Sequence, residues 1–152
     1  MAKLDPKPRP LWQCKKCGRY FANRNQSHSC GRYDLEHHFK GKPPEIRALF
    51  DQVVAATRAL GPVRLLPEKT RIAFQVRMSF AQVTPRANWL DGHVVLARRL
   101  KHARFRSIQT ISPRNHVHTF RLTTPEDVNA QFCAWLAEAY AVGQQHHLRK
   151  RS

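Results

Sequence analysis

Apolar side chains recur every three or four residues in two stretches of this chain, and at every second residue in the stretch between them. In the first, Ile46, Leu49, Phe50, Val53, Val54, Thr57 and Leu60 fall on one face of a helix over residues 44–60. Glu45 suits the positive end of that helix dipole, and Gly61 followed by Pro62 stops it. The second stretch opens at Thr124, a residue type suited to an N-cap. Pro125 takes the first helical position, and Glu126 and Asp127 follow. Its expected buried stripe is Val128, Phe132, Trp135, Leu136 and Ala139, with Cys133 beside it as a small boundary residue.

Between the two, the period changes to two. Within residues 71–77, Ile72, Phe74 and Val76 occupy one side, and Arg71, Gln75 and Arg77 the other, which predicts a half-buried strand. Further strands are expected over 63–66, 79–83, 93–98, 107–111 and 116–122. Asp91-Gly92 has the composition of a tight hairpin turn, and Pro113-Arg114-Asn115 that of another.

Helix, hairpin-linked strands, then helix predicts an α+β fold with a mainly antiparallel sheet. Each helix has one apolar stripe, so both should cover the same sheet face and leave the opposite face open. Arg71, Gln75 and Arg77 would lie there. The chain of 152 residues is long enough for one such domain and a small appendage. The expected order is an extended basic tail over 1–11, a cysteine-rich unit over 12–33, a bridge over 34–42, the α+β domain over 43–148 and a basic tail over 149–152.

The cysteine-rich unit changes the picture most. Cys14-Lys15-Lys16-Cys17-Gly18 pairs two thiols at the spacing that fits one tetrahedral ion, and the glycine lets the backbone turn with its amides facing the sulfurs. His28-Ser29-Cys30 completes four ligands: Cys14, Cys17, His28 and Cys30. Four protein ligands leave no open position, so the expected Zn²⁺ is structural. The metal could also supply the order that so short a segment cannot draw from a core of its own. His37 and His38 are the alternative ligands if His28 does not serve; a redox C-x-x-C pair and unrelated cysteines are the other readings. The stretch from Cys14 through Arg19 to Phe21 resembles the opening of small zinc fingers with the CCHC ligand order, Phe21 standing where such fingers keep a core aromatic. The H-x-C spacing departs from that pattern, because it does not set both ligands on successive helical turns. A knuckle and loop are expected in place of a groove-reading helix.

Charge then narrows the partners. Lys and Arg number 27 against 10 Asp and Glu, a net +17 with a pI near 10.9; three thiolates and one divalent ion would leave about +16. Such a field attracts polyanions and repels copies of itself, so a monomer is expected. An Arg-rich surface that serves only solubility is the plain alternative. Acidic residues are absent from 6–33, which holds Lys7, Arg9, Lys15, Lys16, Arg19, Arg24 and Arg32. They are also absent from 92–125, which holds Arg98, Arg99, Lys101, Arg104, Arg106, Arg114 and Arg121. Arg19, Tyr20, Asn23, Arg24, Asn25 and Gln26 offer charge, stacking and amide contacts in one loop, which suits phosphate and exposed bases. No apolar run is long enough to span a bilayer, and the first residues have no signal-peptide pattern. A cytoplasmic protein with reduced thiols is therefore expected.

His116, His118 and Phe120 share one side of the 116–122 strand, with Arg121 opposite and Arg114 just before it. Structural hydrogen bonding, anion binding and an acid/base pair all remain open for the two histidines. No nucleophile, carboxylate pair or third metal ligand accompanies them in a recognisable motif.

The phrases from Pro67 to Arg77, from Trp89 to Leu96 and from Ile111 to His118 resemble the bacterial domain of unknown function 5655, over about two thirds of the chain. That resemblance supports the α+β expectation and carries no activity and no residue roles. Taken together, the residues point first to a zinc-containing protein that binds nucleic acid, with RNA or the ribosome ahead of DNA. The contacts would come from Lys15, Lys16, Arg19, Tyr20, Arg24, Arg71, Arg77, Arg114, His116, His118 and Arg121. The second reading is a small enzyme or anion-binding domain using Lys69, Arg71, Arg114, His116 and His118. The third is a module that docks on an acidic protein or anionic membrane.

Overall fold

The computed structural model describes residues 9–26, 28, 30–31 and 33–146. Most of the N-terminal tail (residues 1–8) and all of the C-terminal one lie outside the described residues. Two short strands, β1 (Trp12–Gln13) and β2 (Tyr20–Phe21), pair antiparallel in the cysteine-rich unit. A 3-10 turn over Leu35–Phe39 leads into helix α1 (Pro44–Arg58). Six strands follow: β3 (Arg64–Pro67), β4 (Ile72–Gln75), β5 (Ser79–Pro85), β6 (Leu90–Leu96), β7 (Ser107–Ser112) and β8 (Asn115–Leu122). Helix α2 (Ala130–Gly143) closes the fold. The six strands form one antiparallel sheet in the order β3-β4-β5-β6-β8-β7. The expected α+β class is therefore the observed one.

Register separates the two faces. Leu65, Phe74, Ala81, Val94, His118 and Ile108 form one row across all six strands. That face meets the helices: α2 lies over β5 and β6, and α1 packs against α2. Ile46, Leu49, Phe50 and Val53 of α1 and Phe132, Trp135, Leu136 and Ala139 of α2 are buried in the same core as Phe74 and Val94. Each fully buried large apolar side chain contributes about 1.5–3 kcal/mol. The opposite row reads Leu66, Ala73, Gln82, His93, Thr119 and Ser107, mostly polar, but it is not the open face expected: β4 is buried on both sides, with Ala73 at 0% and Gln75 at 1% exposure.

Three local expectations are corrected. Asp91-Gly92 is no turn but the interior of β6, and the chain reverses at 86–89, where Arg86 N–H donates to Trp89 O at 2.9 Å. Gly92 is required by packing: a Cβ there would meet Gln82 O at 2.5 Å and the Phe120 ring at 2.9 Å. Thr124 does not start the long helix. It precedes a 3-10 turn, Pro125–Asp127, where the Asp127 carboxylate accepts from Thr124 N–H at 3.0 Å. The helix itself begins after Asn129, whose side chain accepts from Phe132 N–H at 3.0 Å. Leu60, expected on the α1 stripe, is exposed because α1 ends at Arg58. The bridge also does more than connect, since Phe39 is buried against Phe50 at a ring separation of 5.1 Å.

Candidate functional site

The paired strands β1 and β2 present Cys14 and Cys17 from the tight turn between them. Gly18 N–H donates to Cys14 O at 2.8 Å and Cys14 N–H to Arg19 O at 2.9 Å, and Gly18 takes φ +75°, a conformation open to glycine at little cost. The loop after β2 brings His28 and Cys30 back to the same point. Cys14 Sγ lies 3.7 Å from Cys30 Sγ, and His28 Nε2 lies 3.4 Å from the sulfurs of both Cys17 and Cys30. All four donor atoms fall within 4.8 Å of one another. Metal–sulfur bonds of ~2.3 Å and metal–nitrogen bonds of ~2.0 Å imply tetrahedral edges of about 3.5–3.8 Å. The observed separations fit those edges, and the 3.7 Å between sulfurs is far from a disulfide.

The surroundings orient the ligands. His28 Nδ1 donates to Gln26 O at 2.6 Å, which leaves Nε2 free to coordinate, the usual support for a ligating imidazole. That carbonyl also pulls the His28 pKa upward. The Cys17 backbone N–H stabilises the Cys14 thiolate and brings its pKa down to about 6, whereas burial pushes the Cys30 thiol up. The Phe21 ring lies 4.1 Å from the His28 ring, and Trp12 lies 6.1 Å from both. Cys14, Cys17 and Phe21 are the buried centre of a small separate core. The cluster is thus a zinc-finger-like metal site completed by His28, and neither His37 nor His38 belongs to it.

The basic residues named from the sequence differ in exposure and in pairing. Lys15, Lys16 and Arg24 are exposed on the finger, with no ion pair among the described residues; Tyr20 is exposed beside them. Arg19 donates to Gly31 O at 3.2 Å. The sheet residues are placed differently. Arg71 pairs with Glu68 at 3.2 Å, and Arg121 pairs with Asp91 at 2.9 Å while its guanidinium lies 4.2 Å over the Trp89 ring. Arg77 donates to Gln145 Oε1 at 3.0 Å and to Arg9 O. Arg114 lies exposed in the β7–β8 turn.

His116 and His118 require a correction. Both sit on the helix-covered face, at 7% and 0% exposure, so neither reaches a surface ligand. His118 Nδ1 donates to His116 O at 2.9 Å, and its Nε2 accepts from Leu100 N–H at 2.9 Å. His116 Nδ1 faces Thr110 Oγ1 at 2.9 Å, and its Nε2 faces Pro113 O at 3.1 Å. These are structural hydrogen bonds. They place the histidines on the side of the sheet opposite the Arg71 row, so the Arg/His cluster expected from sequence is not assembled.

Two residues not singled out from the sequence, Tyr33 and Arg64, meet Arg19, Tyr20 and Gln75 elsewhere. A cleft of about 440 Å³ opens between the finger and the β3 edge of the sheet, lined by Arg19, Tyr20, Tyr33, Arg64 and Gln75 among others. Arg64 donates to Gln75 Oε1 at 3.2 Å and to Val76 O at 2.5 Å, and its guanidinium lies 5.9 Å from the Tyr20 ring. Only the strand register and the docking of the finger reveal Arg64, because in sequence it is one cation in a short strand. The sequence model described as Domain of unknown function (DUF5655) matches residues 35–143, and the chain belongs to that family. No curated protein and no solved structure matches it.

Proposed function

We propose that this member of the DUF5655 family is a nucleic-acid-binding protein of the cytoplasm whose finger is held by one structural zinc ion. The observation that carries the reading is the exposure of Lys15, Lys16 and Arg24, without carboxylate partners among the described residues, around a four-ligand metal site. Three thiolates and one imidazole in a tetrahedron favour zinc among the biological divalent metals. With four protein ligands in place, the ion's role is to order the finger. The exposed Tyr20 adds an aromatic face to those cations. RNA, including ribosomal RNA, is preferred to DNA because the described part of the finger has two-residue strands and no helix to enter a major groove.

Two measurements test the reading. Affinity for a short RNA, followed by fluorescence anisotropy, should fall steeply with salt, by a log–log slope of about 0.7 per phosphate neutralised on a single strand. A flat affinity between low and moderate salt contradicts it. Metal analysis should find one zinc per wild-type chain and a large loss in Cys14→Ser; equal zinc in the two removes the ligand set.

A further inference from the structure

The cleft beside the finger has a chemistry of its own. One wall is the metal knuckle at Cys17 and Gly18 with Arg19 and Tyr20, and the other is the sheet edge at Arg64 and Gln75; Tyr33 also lines it. Tyr20 and Tyr33 are among the few large apolar-bodied side chains left exposed, at 41% and 38%. Among the described residues Arg64 is a cation without a carboxylate partner. Its hydrogen bonds go to a side-chain amide and a backbone carbonyl, both neutral. The residue is exposed, and partial burial of its guanidinium against the neighbouring groups lowers its pKa.

An acidic peptide would offer Arg64 a carboxylate but leave two exposed aromatic rings without a purpose. A nucleotide satisfies both, with phosphate on the guanidinium groups and the flat base on tyrosine. A cavity of about 440 Å³ falls within the range of small-ligand sites. A base inside a duplex is already stacked and cannot enter.

From this placement we infer that the cleft between the finger and the β3 edge receives an unpaired nucleobase with its phosphate, so that the protein selects single-stranded segments of RNA over duplex. The inference rests on the nucleic-acid reading proposed above and adds the form of the ligand. It also makes recognition metal-dependent, because one wall of the cleft is the metal-bound turn itself.

The test uses the full zinc-loaded chain with a labelled single-stranded RNA and the duplex of the same sequence, at one salt concentration. The single strand should bind at least about tenfold more tightly. Tyr20→Ala should weaken the single strand by about tenfold and leave the duplex unchanged, while Tyr20→Phe keeps wild-type affinity. Arg64→Gln, outside the finger, should weaken single-strand binding similarly with zinc content intact. It decides the matter if Tyr20→Ala loses metal. Equal binding of both forms, or no loss in Arg64→Gln, overturns the cleft while leaving the finger's cations as a backbone contact. Loss of all RNA binding in wild type overturns the broader reading as well.

Discussion

The finger and the sheet each contain an acid-free stretch with seven cations, residues 6–33 and 92–125, yet the fold does not treat those charges alike. Two cations of the sheet stretch find carboxylates from beyond its own ends, while Lys101 and Arg106 stay exposed with no ion pair among the described residues. Arg121 pairs with Asp91, and Arg98 pairs with Glu138 of α2 at 3.0 Å. In the finger, Lys15, Lys16 and Arg24 have no such partner among the described residues. Absence of acids along a sequence is therefore a poor guide to absence of acids in space. The two regions also differ in what holds them. The sheet has a continuous core that includes both helices, whereas the finger's cluster of three buried residues consists of Phe21 and two of the metal ligands, Cys14 and Cys17.

That contrast predicts unequal responses, the largest to metal removal. Structural zinc sites of this type contribute on the order of 10–16 kcal/mol, so chelation should unfold the finger while the sheet domain stays folded. In two-dimensional NMR the amide signals of Trp12 to Phe21 should collapse to random-coil positions, with those of Ile72 to Leu122 unmoved. Simultaneous loss of both sets would mean that the finger is integral to the main core.

The next effect belongs to the sheet alone. His93 lies on the polar face opposite Gln82 and Thr119, and burial lowers its pKa from 6.5 to about 4, with Arg71 adding to the shift. Below pH 6.5 the unfolded chain takes up a proton that the native state refuses until about pH 4. Stability present above pH 6.5 is thus lost as pH falls through that window, by about 3 kcal/mol. Denaturant titrations at pH 7 and pH 4.5 should show that loss, and His93→Gln should reduce the difference. An equal difference in the variant would assign the acid sensitivity elsewhere.

Packing comes third. Gly92→Ala puts a methyl group against Gln82 O and Phe120, and should cost about 1–3 kcal/mol by chemical denaturation, with zinc content unaffected. A neutral substitution would return the residue to the role of an ordinary strand position. Smallest is Glu68→Gln, which breaks a partly exposed ion pair worth about 0–1 kcal/mol and unpairs Arg71. If neutralisation is what silences the sheet arginines, this variant should gain a little RNA affinity even as it loses a little stability.

Much of this molecule could be read from spacing. The α1 stripe from Ile46 to Thr57 and four of the α2 contacts follow from a period of 3.6, and the four ligands from thiol and imidazole spacing, whereas the half-buried strand expected at β4 is buried on both sides. What failed needed neighbours distant in sequence. Gly92 is explained by Phe120, 28 residues later in the sequence, and the buried state of His116 and His118 by Leu100, Thr110 and the helices. Alternation correctly put the two histidines on one side of β8, but it could not say which side the helices cover. Arg64 was invisible for the same reason, since its importance comes from the finger docked beside it.

In the proposed function the finger's cations, not the sheet's arginines, meet nucleic acid, and this is the point most open to experiment. It is tested by the salt dependence of RNA affinity in two variants, Lys15→Gln/Lys16→Gln/Arg24→Gln and Arg71→Gln/Arg121→Gln, each with zinc content confirmed. The finger variant should lower the log–log slope by about 2 for single-stranded RNA, and the sheet variant should leave it within error of wild type. A sheet variant that lowers the slope as much, or a finger variant that leaves it unchanged, contradicts the account.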